Sequence, residues 1–203
     1  MNEYHKIQSV FKRDLKTHKF IIGDYSLPEF EYLENNLWIW TEKVDGTNVR
    51  IMWNGIGLKF GGRTDSAQMP TRLMAKLHDI FKPEMFAEFD NIILYGEGYG
   101  AGIQKVGHLY SPNAEFVLFD IKISDWWIKR SDVVGIAEKL GINVVPIVGM
   151  GTIKEAMVKV RESYLSTWGD FPAEGIVMRP AVELKTRAGN RIITKMKHGD
   201  FER

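Results

Sequence analysis

Apolar and polar residues alternate along much of the chain with the two-residue period of half-buried strands. The alternation is clearest at residues 37–42 (LWIWTE), 49–53 (VRIMW), 57–60 (GLKF), 91–96 (NIILYG) and 115–121 (EFVLFDI), with further candidates at 175–179 and 191–197. Asn54 and Gly55, which both tolerate positive φ, separate two of these runs and predict a tight antiparallel hairpin. A second hairpin is expected where Arg187, Ala188, Gly189 and Asn190 divide VELKT from RIITKMK. A helical period is visible at residues 71–82, stopped by Pro83, and at 132–140 and 153–165. Ser131 is expected to cap the second helix, which Gly141 ends, and Thr152 with Glu155 spells a capping box for the third. With no repeat, low-complexity tract or Pro/Ser-rich linker, the pattern predicts one α+β domain over residues 1–203, mainly antiparallel sheets with flanking helices.

Composition narrows this picture. A chain of 203 residues that is 44% hydrophobic can bury a sizeable core. The absence of cysteine excludes disulfides and thiolate metal sites, and the opening MNEYHKIQSVFKRD lacks the apolar centre of a signal peptide. No apolar run approaches the roughly 20 residues of a membrane span, so a cytoplasmic protein without a membrane partner is expected. The net charge of +1 is unevenly placed. Lys6, Lys12, Arg13, Lys16 and Lys19 cluster near the start, and Lys185, Arg187, Arg191, Lys195, Lys197 and Arg203 near the end.

The stretch EKVDGTNVRI, residues 42–51, sets Lys43 at the head of an apolar alternation. An exposed lysine before an Asp45-Gly46 turn is one reading; a nucleophile is the other. A free lysine titrates near roughly 10.4, so a nucleophilic amine must be helped to lose its proton, by neighbouring cations or a bound metal. Lys195 and Lys197, alternate residues and therefore on one strand face, are suitable cations if that strand packs beside Lys43.

EKVDGTN resembles the K-x-D/H-G-x-N motif of the covalent nucleotidyltransferases, most closely that of ATP-dependent RNA ligases of the phage RNA ligase 2 and trypanosome editing-ligase type. The remaining family motifs follow in order: FGGRTD with Arg63, LYGEGYG with Glu97, FVLFDI with Phe119 and Asp120, EGIVMRP with Glu174, and ITKMK with Lys195 and Lys197. The resemblance covers about residues 37–197. It implies the nucleotidyltransferase fold, the ATP-grasp-like adenylation domain of nucleic-acid ligases.

It further implies that Lys43 takes AMP from ATP, that AMP passes to an RNA 5′-phosphate, and that a 3′-hydroxyl then seals nicked or broken RNA, a chemistry of RNA repair. Lys195 and Lys197 carry over as contacts to the AMP phosphate, Arg63 as a fork of donors for phosphate or ribose, Glu97 as a ribose-hydroxyl contact and Phe119 as the ring on the adenine face. Glu42 corresponds to a position near the adenine edge, through its backbone if not its side chain. Glu174 is the expected ligand for Mg2+, with Asp120 and Asp45 as weaker candidates. Asn48 stands where DNA ligases usually carry arginine, which favours RNA. A DNA ligase of the same chemistry and a non-enzymatic module that binds nucleotide or RNA ends are the alternatives.

Three other signals are weighed against this. GEGYGA at residues 96–101 fits G-x-G-x-x-G/A, but no helical period begins inside it, so its glycines are expected in a loop near a nucleotide. The five histidines lack metal-ligand spacing. Trp126 and Trp127 are adjacent, so at least one is expected in packing rather than on bases. Lys197 stands six residues from the last residue, Arg203. A minimal catalytic domain is therefore expected, with no separate C-terminal domain and with a partner chain or the basic termini supplying the RNA grip.

Overall fold

The computed structural model describes residues 3–201, so Arg203 of the C-terminal basic cluster lies outside the described residues. Three short strands, β1 (Gln8–Ser9), β2 (Phe11–Arg13) and β3 (Phe20–Tyr25), precede helix α1 (Pro28–Tyr32). Strands β4 (Trp38–Glu42), β5 (Thr47–Trp53) and β6 (Leu58–Gly61) lead to helix α2 (Thr71–Ile80) and strand β7 (Ile92–Tyr99). The one-turn helix α3 (Gly107–Tyr110), strands β8 (Glu115–Ile123) and β9 (Trp126–Trp127) and helix α4 (Arg130–Leu140) follow. Strand β10 (Ile147–Gly151), helix α5 (Ile153–Arg161) and strands β11 (Gly175–Pro180) and β12 (Thr194–Lys197) complete the set. The fold is α+β with mostly antiparallel sheets, as expected. Among the described residues no helix is long and apolar enough to cross a membrane.

The chain divides into two compact units, each drawn from two stretches of sequence and each with its own core. Unit 1 comprises residues 3–5 and 45–145, and unit 2 residues 6–44 and 146–201. The chain passes from one to the other at Val44–Asp45, inside the lysine motif.

Unit 1 holds an antiparallel sheet in the order β6-β5-β7-β8-β9. Its period-two pattern turns Val49, Ile51, Trp53, Ile92, Leu94, Phe116 and Leu118 to one face, where Leu73 and Leu77 of α2 and Val133, Ala137 and Leu140 of α4 cover them. Gly96 and Gly98 lie inside β7, not in a loop: a Cβ at Gly96 would run into the Phe116 ring, and one at Gly98 into the Leu73 side chain. These two glycines serve close packing on the core face, which corrects the expectation of a loop near a nucleotide.

Unit 2 holds the sheet β1-β12-β11-β4-β10, in which only the β1–β12 pair is parallel. Trp38, Trp40, Ile176, Met178 and Met196 form its apolar face and pack on Phe30 of α1 and Ile153, Ala156 and Val160 of α5. Strands β2 and β3 pair separately.

Helix boundaries follow backbone hydrogen bonding more than residue type. Helix α4 begins at Arg130 because the amides of Asp132 and Val133 both donate to the Lys129 carbonyl, which places Ser131 inside the helix. The Ser131 hydroxyl donates to Asp132 and caps nothing. Gly141 does end this helix, at φ 64°, a left-handed conformation glycine adopts without strain. The Arg187–Asn190 turn forms, with the Thr186 amide donating to the Asn190 carbonyl at 2.7 Å, but only the single bridge Lys185 to Arg191 flanks it. Its downstream arm pairs with β11 and β1 instead, from Thr194 onward.

The α5 capping box is present: the Glu155 amide donates to the Thr152 hydroxyl at 3.2 Å and the Thr152 amide to the Glu155 carboxylate at 2.7 Å. Thr152→Ala is expected to cost about 1 kcal/mol, read as a lower urea midpoint with an unchanged slope. An unchanged midpoint would show the box to be ornamental to stability.

Candidate active site

Lys43 leaves the end of β4, where its amide donates to the Gly175 carbonyl of β11 at 2.9 Å. Register places the neighbouring chemistry. Thr41 lies opposite Val177, Val177 opposite Lys195, and Gly175 opposite Lys197. Alternation therefore sets Lys43, Lys195 and Lys197 on the same face of the unit 2 sheet, while Met196 is fully buried on the other.

On that face Glu174 joins two of the lysines. Lys43 Nζ donates to Glu174 Oε2 at 2.6 Å, and Lys197 Nζ reaches Glu174 Oε1 at 2.6 Å. The Lys43 and Glu174 side chains are 20% and 16% exposed, so water screens the pair only in part. One carboxylate held between two ammonium groups leaves a net positive patch, suited to a phosphate. Lys195, half-buried, stands one alternation back on β12.

Glu42 turns the other way. Its side chain shares a face with Ile176, and it is 2% exposed. Ser166 Oγ donates to one carboxylate oxygen at 2.5 Å, while the amide and hydroxyl of Thr167 both donate to the other at 2.8 Å. The carboxylate is thus committed to the 166–167 loop, and its backbone, bonded to the Pro146 carbonyl, runs beside Lys43. Nothing in the sequence pattern flagged Ser166 or Thr167, because they lie 124 and 125 residues away from Glu42.

The remaining predicted residues belong to unit 1, on the sheet face opposite its core. Asn48 lies opposite Glu97, and Glu97 opposite Val117, in one row across β5, β7 and β8. The next row is Arg50, Tyr95 and Asp120. Between the rows the ladder slips by one residue, which makes Phe119 the extra residue of a bulge. The Phe119 ring meets Tyr4 edge-on at 5.0 Å, and the Tyr4 hydroxyl donates to Asp120 Oδ2 at 2.8 Å. Burial pushes the neighbouring Tyr95 phenol up to about 12, against the lowering effect of Arg50. Trp127 packs with Tyr4 and Tyr95, while Trp126 is exposed. One tryptophan of the pair is therefore structural, as expected.

The turn that follows Lys43 is held from within unit 1. Gln104 Nε2 donates to the Gly46 carbonyl at 2.9 Å, and the Asp45 amide donates to the Tyr110 hydroxyl at 3.3 Å. A Cβ at Gly46 would strike the Gly98 carbonyl and lie 2.7 Å from Glu97 Cγ, so the motif glycine is required by close approach to β7. Gln104 and Tyr110 carry no signal in the sequence beyond their types.

Arg63 lies exposed in the loop after β6. Two residues on, Asp65 accepts from Arg50 Nη2 at 2.8 Å; this hydrogen bond first, and the Arg50 charge second, hold the Asp65 carboxyl below the usual carboxylate range. A carboxylate so lowered stabilises the fold above its unfolded pKa, roughly 3.9, and that contribution is lost as pH falls through the lower folded value. Heat-unfolding midpoints should therefore fall less steeply below about pH 4 in Asp65→Asn than in the parent. Parallel slopes would dismiss the coupling.

As a metal ligand Glu174 fits best, a hard carboxylate able to exchange a lysine for a cation. Asp120 fits poorly: it is fully buried and accepts from Tyr4, so a hydrated cation has no approach to it. Asp45 sits half-buried in the turn. No cluster of three or more His, Asp or Glu side chains able to hold a metal occurs among the described residues.

The fold is the nucleotidyltransferase fold of RNA ligases. The RNA ligase family profile matches residues 36–197, and the chain belongs to the RNA ligase family. No curated protein matches the sequence. Among solved structures, Naegleria gruberi RNA ligase with PPi is similar at TM-score 0.67 and 19% identity, over 84% of this chain and 52% of that one. Mutant forms of the same ligase with ATP and Mn superpose at TM-scores of 0.68 and 0.69, with 17% and 15% identity. These cover 96% and 98% of this chain but 57% and 63% of theirs, so the chain spans between about half and two thirds of the structures it resembles. At such identities the likeness establishes the fold.

Proposed function

We propose that this chain is an ATP-dependent RNA ligase that forms a lysyl-AMP on Lys43 and uses it to join RNA ends. Lys43 Nζ bonds to the α-phosphorus of ATP, the α–β anhydride breaks, and pyrophosphate leaves. An RNA 5′-phosphate oxygen then displaces Lys43 from the AMP phosphorus, and a 3′-hydroxyl displaces AMP to close the strand. Every step is a displacement at phosphorus, so positioning and charge neutralisation carry the catalysis.

The observation that supports this reading is the shared carboxylate: Lys43 and Lys197 each contact one oxygen of Glu174 at 2.6 Å. Glu174 already accepts the hydrogen of the attacking nitrogen, which suits it to take that proton, and Lys197 and Lys195 are cations for the phosphate oxygens. Asn48, Arg63, Glu97 and Phe119 take the nucleoside and its phosphate edge in this reading, and Glu42 contributes its backbone. A divalent cation, magnesium in our assignment, would be held by Glu174 and would supply neutralisation of phosphate charge.

Incubation with radiolabelled ATP and magnesium, followed by denaturing electrophoresis and peptide mass spectrometry, tests the first step. AMP attached at Lys43 is expected, and an unlabelled protein overturns the reading. Transfer of the label to 5′-phosphorylated RNA in preference to DNA is the expected second result; the reverse preference would make the chain a DNA ligase.

A further inference from the structure

We infer that Arg50 is a positioning residue for the loop after β6, holding Arg63 in place before any nucleotide binds. Arg50 lies two residues beyond the Asn48 of the lysine motif and is 1% exposed, one of the largest fully buried side chains of the protein. Burying a guanidinium is costly unless its donors are used well. Here Nε donates to the Gly62 carbonyl at 2.6 Å and Nη2 to Asp65 Oδ1 at 2.8 Å.

Those two acceptors stand on either side of Arg63. The rigid fork of Arg50 therefore clamps the chain on both sides of Arg63, and neither a lysine, with one head, nor an apolar side chain of the same volume reproduces it. The loop has few other ties. Residues 63–68 are exposed, the Ala67 amide donates to the Thr64 carbonyl at 3.2 Å, and the Asp65 amide to Glu3 Oε1 at 3.3 Å. The remaining Arg50 nitrogen, Nη1, is buried with no hydrogen-bond partner among the described residues. A cation that leaves one donor unused is poorly explained by stability alone. Fixing the backbone that carries an exposed arginine, so that less freedom is lost when phosphate or ribose arrives, gives the buried cation a role. Gly61 fits the same picture, since a Cβ there would approach Arg50 Nη2 to 3.1 Å.

The kinetic arm of the test rests on the proposed function; the structural arm does not. Arg50→Gln should speed trypsin cleavage of the folded protein after Arg63 by about tenfold or more, because the loop opens locally. Asp65→Asn, which leaves the buried arginine in place, should give a smaller increase and serves where Arg50→Gln does not fold. Lysyl-AMP formation should slow about as much in Arg50→Gln as in Arg63→Ala, and the double variant should be no slower than Arg63→Ala alone. Unchanged cleavage in both loop variants, or multiplied losses in the double variant, overturns the inference. Should the parent form no lysyl-AMP, the ligase reading falls and the cleavage rates alone decide the role of Arg50.

Discussion

Replacement of Lys43 by alanine is expected to abolish protein-bound AMP while leaving a folded chain. In the proposed reaction the attacking nitrogen has no substitute: Lys195 and Lys197 stand on another strand, and Lys197 is already paired with Glu174. Removing a covalent nucleophile typically costs a factor on the order of 10⁴–10⁶ in rate, so the adduct should fall below detection. Stability should change little, within about 1 kcal/mol, because Glu174 keeps Lys197 as a partner and is not left as an orphaned charge. Lys43→Arg sharpens the test, since it retains the cation yet carries no usable lone pair. Label retained in either variant would place the chemistry elsewhere; loss of folding in both would make Lys43 a structural residue.

The second large effect is expected at Glu174. Glu174→Ala leaves Lys43 and Lys197 facing each other without the carboxylate that separates them, and removes the residue assigned to proton acceptance and to the cation. Adenylylation should fall by a factor on the order of 10²–10⁴. Unlike the Lys43 variants, this one should also lower stability, by about 1–3 kcal/mol, because two partly buried ammonium groups lose their acceptor. Glu174→Gln keeps the shape and an acceptor oxygen but not the charge, and should recover part of the stability and little of the activity. Rates of label incorporation together with urea unfolding separate the two contributions. Full activity in Glu174→Gln would remove the carboxylate from the chemistry.

Much of the candidate site was legible because its residues sit in short local patterns. Lys195 and Lys197 share a strand face for the reason their spacing suggested, and β11 lies between their strand and that of Lys43. The long apolar alternations became β4, β5, β7 and β8 within a few residues. The misses have local causes. Strand β10, with the sequence IVGMG, has two glycines where alternation would be read, and β1 and β9 are two residues each. The expected cap at Ser131 failed because the Lys129 carbonyl already accepts the first helical hydrogen bonds. Gly96 and Gly98 spelled a nucleotide fingerprint but answer to the Phe116 ring and Leu73, contacts that depend on how α2 and β8 pack.

Read along the chain alone, the residues already disclose the strand and helix periods, the candidate lysine and the order of its companion motifs, since each depends on neighbours a few positions apart. The commitments of the side chains were settled only by folding. Glu174 between two lysines, Glu42 on Ser166 and Thr167, Asp120 under Tyr4 and Arg50 around the Arg63 loop all join partners across strands, three of the four over more than a hundred residues. Hydrogen bonds and ion pairs act over a few ångströms in space, and separation along the chain carries no trace of them until the sheets have set which faces meet.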